Sequence, residues 1–272
     1  MLIDSHCHAG LGDGLSGPWD TRADLGAYLR RCDAAGITRS VVFAALQSDY
    51  RDGNAQVAQL VEQHQGRLIG FVFLDARMPT SVMAAELRRY VVERGFAGIK
   101  LHRGDAPITR KLCELAAALR VPVLYDVMGD VATVELFARE YRGVDFIIPH
   151  LGSFADDWKA QLTLIDHLQR HPNVYADSAG VRRFDLLVEA VRRAGPGKVL
   201  FGSDGPWLHP GVELAKIRAI GLPDAEFTRM AGGNLLRLLG KRAGASGRHS
   251  DVTLVRPVPL HAGSSAAGSL VR

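Results

Sequence analysis

Short runs of Val, Ile, Leu and Phe recur along the chain, separated by longer stretches whose apolar positions repeat every three or four residues. The runs predict strands near 2–8, 40–46, 68–74, 98–102, 121–127, 145–150, 174–180 and 199–204. The intervening stretches predict helices near 22–35, 54–64, 81–94, 110–119, 131–141, 157–170, 184–193 and 224–239. Leu112, Leu115 and Leu119 share one helical face, as do Val57, Leu60 and Val61, and such a stripe lets a helix cover a sheet. Strands that are apolar throughout, rather than alternating, bury both faces and favour parallel pairing. Eight of them alternating with helices over about 240 residues fit a single closed (β/α)8 barrel, the TIM-barrel architecture. A doubly wound open sheet is the alternative.

Local signals mark the boundaries. Thr21, with Asp24 three residues on, predicts a capped start to the first helix. Gly36 and Gly95 stand where helices end in a left-handed residue. Pro122 suits an early strand position, where no ladder donor is yet required. After Gly240 the periodicity stops, so residues 1–240 read as the barrel and 241–272 as a flexible tail.

Composition changes the picture in two places. The formal charge of +4 lies in the tail, where five of the six charged residues are basic, so the barrel itself is neutral. A neutral body argues against nucleic acid as a partner, and the lack of a long apolar stretch argues against a membrane. Three dispersed cysteines, Cys7, Cys32 and Cys113, make neither a disulfide framework nor a cysteine metal cage. With no basic-then-apolar leader in MLIDSHCH, the expectation is a cytoplasmic protein that acts on a small molecule, with a homodimer as a candidate assembly.

The candidate chemistry gathers at the carboxyl ends of the predicted strands, where barrels of this kind carry their sites. His6 and His8 are two apart on the first strand, so both imidazoles can face the mouth and hold one cation, while Cys7 faces the helices. Asp204 ends the eighth strand, which in a closed barrel neighbours the first. It reads as a ligand, with a turn aspartate before Gly205-Pro206 as the plainer reading. His150, after Phe146-Ile-Ile-Pro149, is a further imidazole at the site or a loop cap. Asp126, ending the fifth strand, is a ligand, a partner for Lys100 or a structural acceptor, and Asp177 is a hydrogen-bond acceptor behind the site. Lys100 and His102 share one face of the fourth strand and could hold a substrate carboxylate or phosphate, unless Lys100 pairs with Asp126 or Asp75. Trp207 and His209 follow the eighth strand and are candidates for substrate contact. His64, His167 and His171 lie on or at the ends of helices and read as structural, and His249 and His261 fall in the tail. The GxGxxG spelling at 12–17 precedes Pro18 and Trp19 rather than a helix, so it is no dinucleotide site.

Jointly the stretches Ile3-Asp-Ser-His-Cys-His8, Gly98-Ile-Lys-Leu-His102, Val121-Pro-Val-Leu124, Pro149-His-Leu-Gly152 and Phe201-Gly-Ser-Asp-Gly-Pro206 resemble the amidohydrolase superfamily, in particular its amidohydrolase-2 branch. The resemblance implies a metal-dependent barrel enzyme in which His6, His8 and Asp204 contact the ion and His150 works beside it. That branch usually ends its fifth strand in a histidine ligand, a place taken here by Asp126. The implied cofactor is a divalent ion, zinc, with manganese as the alternative because carboxylate is a harder donor than imidazole. The implied activity is hydrolysis of a small, anionic amide, ester or lactone by activated water, with Asp204 and His150 as catalytic groups. Non-oxidative decarboxylation and a catalytically lapsed barrel are the alternatives.

Overall fold

The computed structural model describes residues 1–14 and 21–243. Eight strands run parallel in sequence order: β1 (Ile3–Leu11), β3 (Arg39–Ala44), β4 (Leu68–Phe73), β5 (Gly98–His102), β6 (Val123–Asp126), β7 (Phe146–Ile148), β8 (Val174–Asp177) and β9 (Val199–Leu200). A two-residue strand, β2 (Arg22–Ala23), pairs antiparallel with the end of β1. The ring closes where the segment after β9 meets β1: Ser5 N–H donates to Phe201 O at 2.9 Å, Asp204 N–H to His6 O at 2.8 Å, and His8 N–H to Gly205 O at 2.7 Å. An open doubly wound sheet has no such closure, so the chain is a (β/α)8 barrel.

The helices follow their strands: α1 (Leu25–Ala35), α2 (Tyr50–Gln63), α3 (Thr80–Leu87), α4 (Arg110–Leu119), α5 (Val134–Glu140), α6 (Trp158–Arg170), α7 (Phe184–Ala194) and α8 (Pro210–Ala219), then α9 (Asp224–Thr228) and α10 (Asn234–Ala243). The apolar stripes lie where expected, with Leu112, Leu115, Leu119 and Val57 buried against the sheet. Gly36 ends α1 at φ 74°, a backbone conformation that costs glycine no Cβ clash. At the start of β5, a Cβ on Gly98 would meet the Phe71 ring at 2.4 Å, so only glycine lets β4 and β5 approach there.

Several boundaries differ from the sequence expectation. Residues 22–23 are strand, and α1 is capped by Asp24, whose carboxylate accepts from Ala27 N–H, rather than by Thr21. The expected helix at 224–239 breaks into α9 and α10 around Gly232, whose φ of 165° leaves the helical region. Pro122 precedes β6, and its carbonyl accepts from Ile99 N–H. Helix α8 opens with Pro210 in the first turn, a placement that proline tolerates and that the sequence reading passed over. Helix α10 runs through Ala243, past the expected boundary at 240, and residues 244–272 of the expected tail lie outside the described residues. Among the described residues no helix is long and apolar enough to cross a membrane.

Candidate metal centre and active site

Strand β1 and the loop that follows β9 bring His6, His8 and Asp204 together. His6 Nε2 lies 3.3 Å and His8 Nε2 3.6 Å from the same oxygen, Asp204 Oδ1, and one donor atom from each residue lies within 4.8 Å of the others. All three are at most 9% exposed. A register shift between Asp4 and Cys7 bends β1, yet the two imidazoles still converge, with ring centroids 5.6 Å apart. Cys7 faces α1, where Tyr28 and Cys32 border its thiol.

The other ring nitrogens fix the tautomers. His8 Nδ1–H donates to Ala44 O at 2.9 Å, and His6 Nδ1–H donates to Asp177 Oδ2 at 2.8 Å. Each neutral ring therefore presents an Nε2 lone pair toward Asp204. Burial, reinforced at His8 by His6 and Lys100, lowers both imidazole pKa values despite the Asp177 charge beside His6, so the lone pairs are available at neutral pH. Asp204 itself is raised by burial.

Behind this trio stands a second layer of acids. Asp177 accepts from His150 N–H and Ala179 N–H at Oδ1, both at 3.0 Å. Although burial alone would raise its pKa, the His6 ring and these bonds hold it below the ordinary range. Asp4 accepts from His6 N–H at 3.0 Å and Ser203 N–H at 2.9 Å, and from the Tyr28 hydroxyl at 2.7 Å. It thereby staples β1 to the loop carrying Asp204, and burial pushes its pKa up to about 7.

His150 enters from a left-handed turn after β7, with φ of 58° at His150 and 51° at Leu151. Asp204 has φ 57°. Such conformations cost non-glycine residues of order 1 kcal/mol or more and persist where the surroundings impose them, often at functional sites. His150 Nδ1–H donates to Ala179 O at 2.7 Å, and its Nε2 faces Asp126 Oδ2 at 3.4 Å. Burial opposes a charged ring, but the Asp126 carboxylate overcomes it and raises His150 to about 9, while Asp126 itself is lowered. The pair is an ion pair at the mouth.

Asp126 thus stands differently from its expected place among the ligands. Its Oδ1 accepts from Met128 N–H at 2.8 Å, its Oδ2 faces His150 and, at 3.5 Å, His102 Nε2, and it lies outside the tight His6, His8 and Asp204 group. Lys100 pairs with neither Asp126 nor Asp75, which is instead bound by Arg77. Its ammonium lies 5.0 Å from the Phe43 ring centroid and 5.9 Å from that of Phe73, with only 1% of the residue exposed. Burial lowers the Lys100 pKa although Asp126, Asp204 and Asp177 favour the charge. His102 is half-buried, with Nδ1 accepting from Gly104 N–H, and burial lowers it to about 4. Trp207 packs against His8, with ring centroids 4.5 Å apart and the planes tilted by 48°. His209 is elsewhere: it caps α8 by accepting from Gly211 N–H and lines the groove between α1 and α8 with Arg31 and Arg218. No residue pattern pointed to the Ala44 and Ala179 carbonyls, since any residue type supplies them.

Comparison with known proteins agrees with this fold. The amidohydrolase family model matches residues 3–241. The chain belongs to the amidohydrolase family. Among curated protein sequences none matches significantly. This amidohydrolase barrel is similar in fold to an amidohydrolase from Burkholderia multivorans with bound zinc (TM-score 0.72, 18% identity, covering 88% of this chain and 99% of that one). It is similar also to a manganese-bound dihydroxybenzoic acid decarboxylase from Polaromonas (0.66, 17%, 88% and 96%). A third similar structure is a probable 2-pyrone-4,6-dicarboxylic acid hydrolase from Acinetobacter baumannii (0.68, 14%, 88% and 99%). The neighbours of this amidohydrolase-family chain therefore include both hydrolases and decarboxylases.

Proposed function

We propose that this chain is a divalent-metal-dependent hydrolase of a small, anionic amide, ester or lactone, with zinc as the ion. The observation that carries the reading is the convergence of His6 Nε2, His8 Nε2 and Asp204 Oδ1 with both Nδ1 protons already committed. His6 Nε2 is buried with no hydrogen-bond partner. Two lone pairs facing a carboxylate repel one another unless a cation lies between them, and two imidazoles with one carboxylate are a donor set that zinc accepts and that manganese tolerates. His6, His8 and Asp204 would hold the ion, which supplies Lewis acidity toward a substrate oxygen and draws down the pKa of water.

The chain's own groups do the rest. Asp204 accepts the proton of the attacking water and returns it to the leaving group, and its raised pKa suits that exchange. His150, held by Ala179 O, turns its Nε2 proton from the long 3.4 Å contact with Asp126 to the oxygen on which charge develops. Asp126 keeps that ring protonated. Lys100, with Trp207 and His102 at the same mouth, receives the anionic group of the substrate. Hydrolysis needs both a proton acceptor and a proton donor at the reacting carbon, and Asp204 with His150 supplies both, whereas decarboxylation needs only a donor. Incubation of candidate lactones and amide acids in ¹⁸O-water tests this, and label is expected in the product acid. Release of CO₂ from a candidate acid without label in the product would make the protein a lyase instead.

A further inference from the structure

Outside the barrel mouth, one cluster of ligand-capable side chains has no part in the chemistry above. His167 lies on α6 and His171 just past its end, four residues apart and hence on one face. Glu135, from the first turn of α5, faces them. One donor atom from each lies within 4.8 Å of the others, and the two rings are 5.7 Å apart. His167 is 2% and His171 8% exposed, and the Nε2 atoms of both are buried without a hydrogen-bond partner. The Val131 carbonyl lies beside the His167 ring and Glu135 beside both rings, but neither Nε2 has a full hydrogen bond, a cost in stability that an apolar contact would not carry.

We propose that Glu135, His167 and His171 form a second zinc site, in the outer helical layer, which ties α5 to α6. Two imidazoles and a carboxylate are the donors that zinc takes at neutral pH, with water completing four ligands. Burial first, and then Arg170, keeps the His167 ring neutral, and burial likewise keeps His171 neutral against the pull of Glu135. Glu135, alone of the three, also lines an open surface depression of about 570 Å³ with Leu136, Arg139 and Arg142, so the carboxylate end of the cluster is reached from solvent.

The neighbouring cations define what loading requires. Lys198 is committed to the carbonyls of His171 and Val174, at 2.6 and 2.8 Å, and Arg139 leans on Glu135 at 3.7 Å. Arg170 Nη2 donates to His167 Nδ1 at 3.1 Å, so the neutral ring carries its proton on Nε2. A zinc ion at Nε2 moves that proton to Nδ1 and turns Arg170 aside. Arg170 is exposed, and its only other bond among the described residues, from Nε to Asp166 O, is 3.3 Å long, so the displacement is small in cost.

The test is a zinc titration of the full chain against a chromophoric chelator, read as equivalents bound and their dissociation constants. The wild-type chain is expected to take two equivalents, one at His6, His8 and Asp204 and one here. The Glu135→Gln/His171→Gln variant should lose the second, or bind it at least tenfold more weakly, and retain the first. Glu135→Gln alone, at a partly exposed position, repeats the comparison in a chain whose fold it does not disturb. Arg170→Met should tighten the second equivalent, because no guanidinium then competes for the ring. A second equivalent that survives both Gln variants unchanged overturns the site, as does a wild-type chain whose only zinc is abolished by His6→Ala/His8→Ala.

Discussion

Replacing Asp177 by Asn keeps the shape of the side chain and reverses one hydrogen bond. In the native site Asp177 Oδ1 accepts from two backbone N–H groups at 3.0 Å, and Oδ2 accepts from His6 Nδ1–H at 2.8 Å. An asparagine that keeps the two backbone bonds must point its NH₂ at His6. The ring then has to accept at Nδ1 and carry its proton on Nε2, the nitrogen that faces Asp204. A ligand lone pair is thereby exchanged for a donor. Loss of an orienting partner behind a metal-binding histidine weakens the metal by about 10–100-fold, equivalent to about 1.4–2.7 kcal/mol. Chelator competition should show that shift in the equivalent held by His6 and His8, with the zinc at Glu135, His167 and His171 unmoved. A structural role alone would lower the melting temperature of the chelator-treated protein and leave affinity intact. Wild-type affinity in Asp177→Asn would refute the tautomer argument.

Other outcomes follow from the same contacts. Lys100→Met should lower kcat/KM for an anionic substrate by about 100-fold, mostly through KM, because a desolvated charge-assisted contact is worth about 2–3 kcal/mol. The corresponding neutral ester should be turned over unchanged, and equal losses on both would remove Lys100 from substrate recognition. Asn54 is fully buried and clamps β4 through Phe73, donating to its O at 2.8 Å and accepting from its N–H at 2.9 Å. Asn54→Leu should cost roughly 2–4 kcal/mol and lower the melting temperature by roughly 5–15 °C in calorimetry. The three thiols are buried, and burial pushes Cys32 and Cys113 up to about 12 and Cys7 well above the ordinary value. Iodoacetamide at pH 8 should therefore leave all three unlabelled in the folded protein and label them in denaturant. Because the unfolded thiols lose protons first, stability should fall as pH rises from about 9 toward 12, and a flat denaturation midpoint over that range would contradict it.

The barrel was legible in the chain because burial on two faces leaves an unbroken apolar run and burial on one leaves a helical stripe. Both patterns are local, so β1, β3 to β9 and most of the helices were found, and His6, His8 and Asp204 were placed on adjoining strands once the ring was assumed to close. Boundaries set by backbone geometry were not visible: Asp24 rather than Thr21 caps α1, and the kink at Gly232 splits the last helix. Periodicity reports that a side chain is buried and says nothing of what it meets. Asp126 therefore looked like a ligand, whereas the tertiary structure turns it to His150 and His102. His209 looked like a mouth residue and instead caps α8. His167 and His171 looked like helix decoration until α5 brought Glu135 against them. The tautomer of His8 and the orientation of the His150 ring depend on the carbonyls of Ala44 and Ala179, which carry no side-chain signal. Secondary structure follows from the order of apolar and polar residues, because neighbours along the chain share one environment. The chemistry of each polar atom follows from neighbours across space, and those are chosen only when the ring closes and the helices pack.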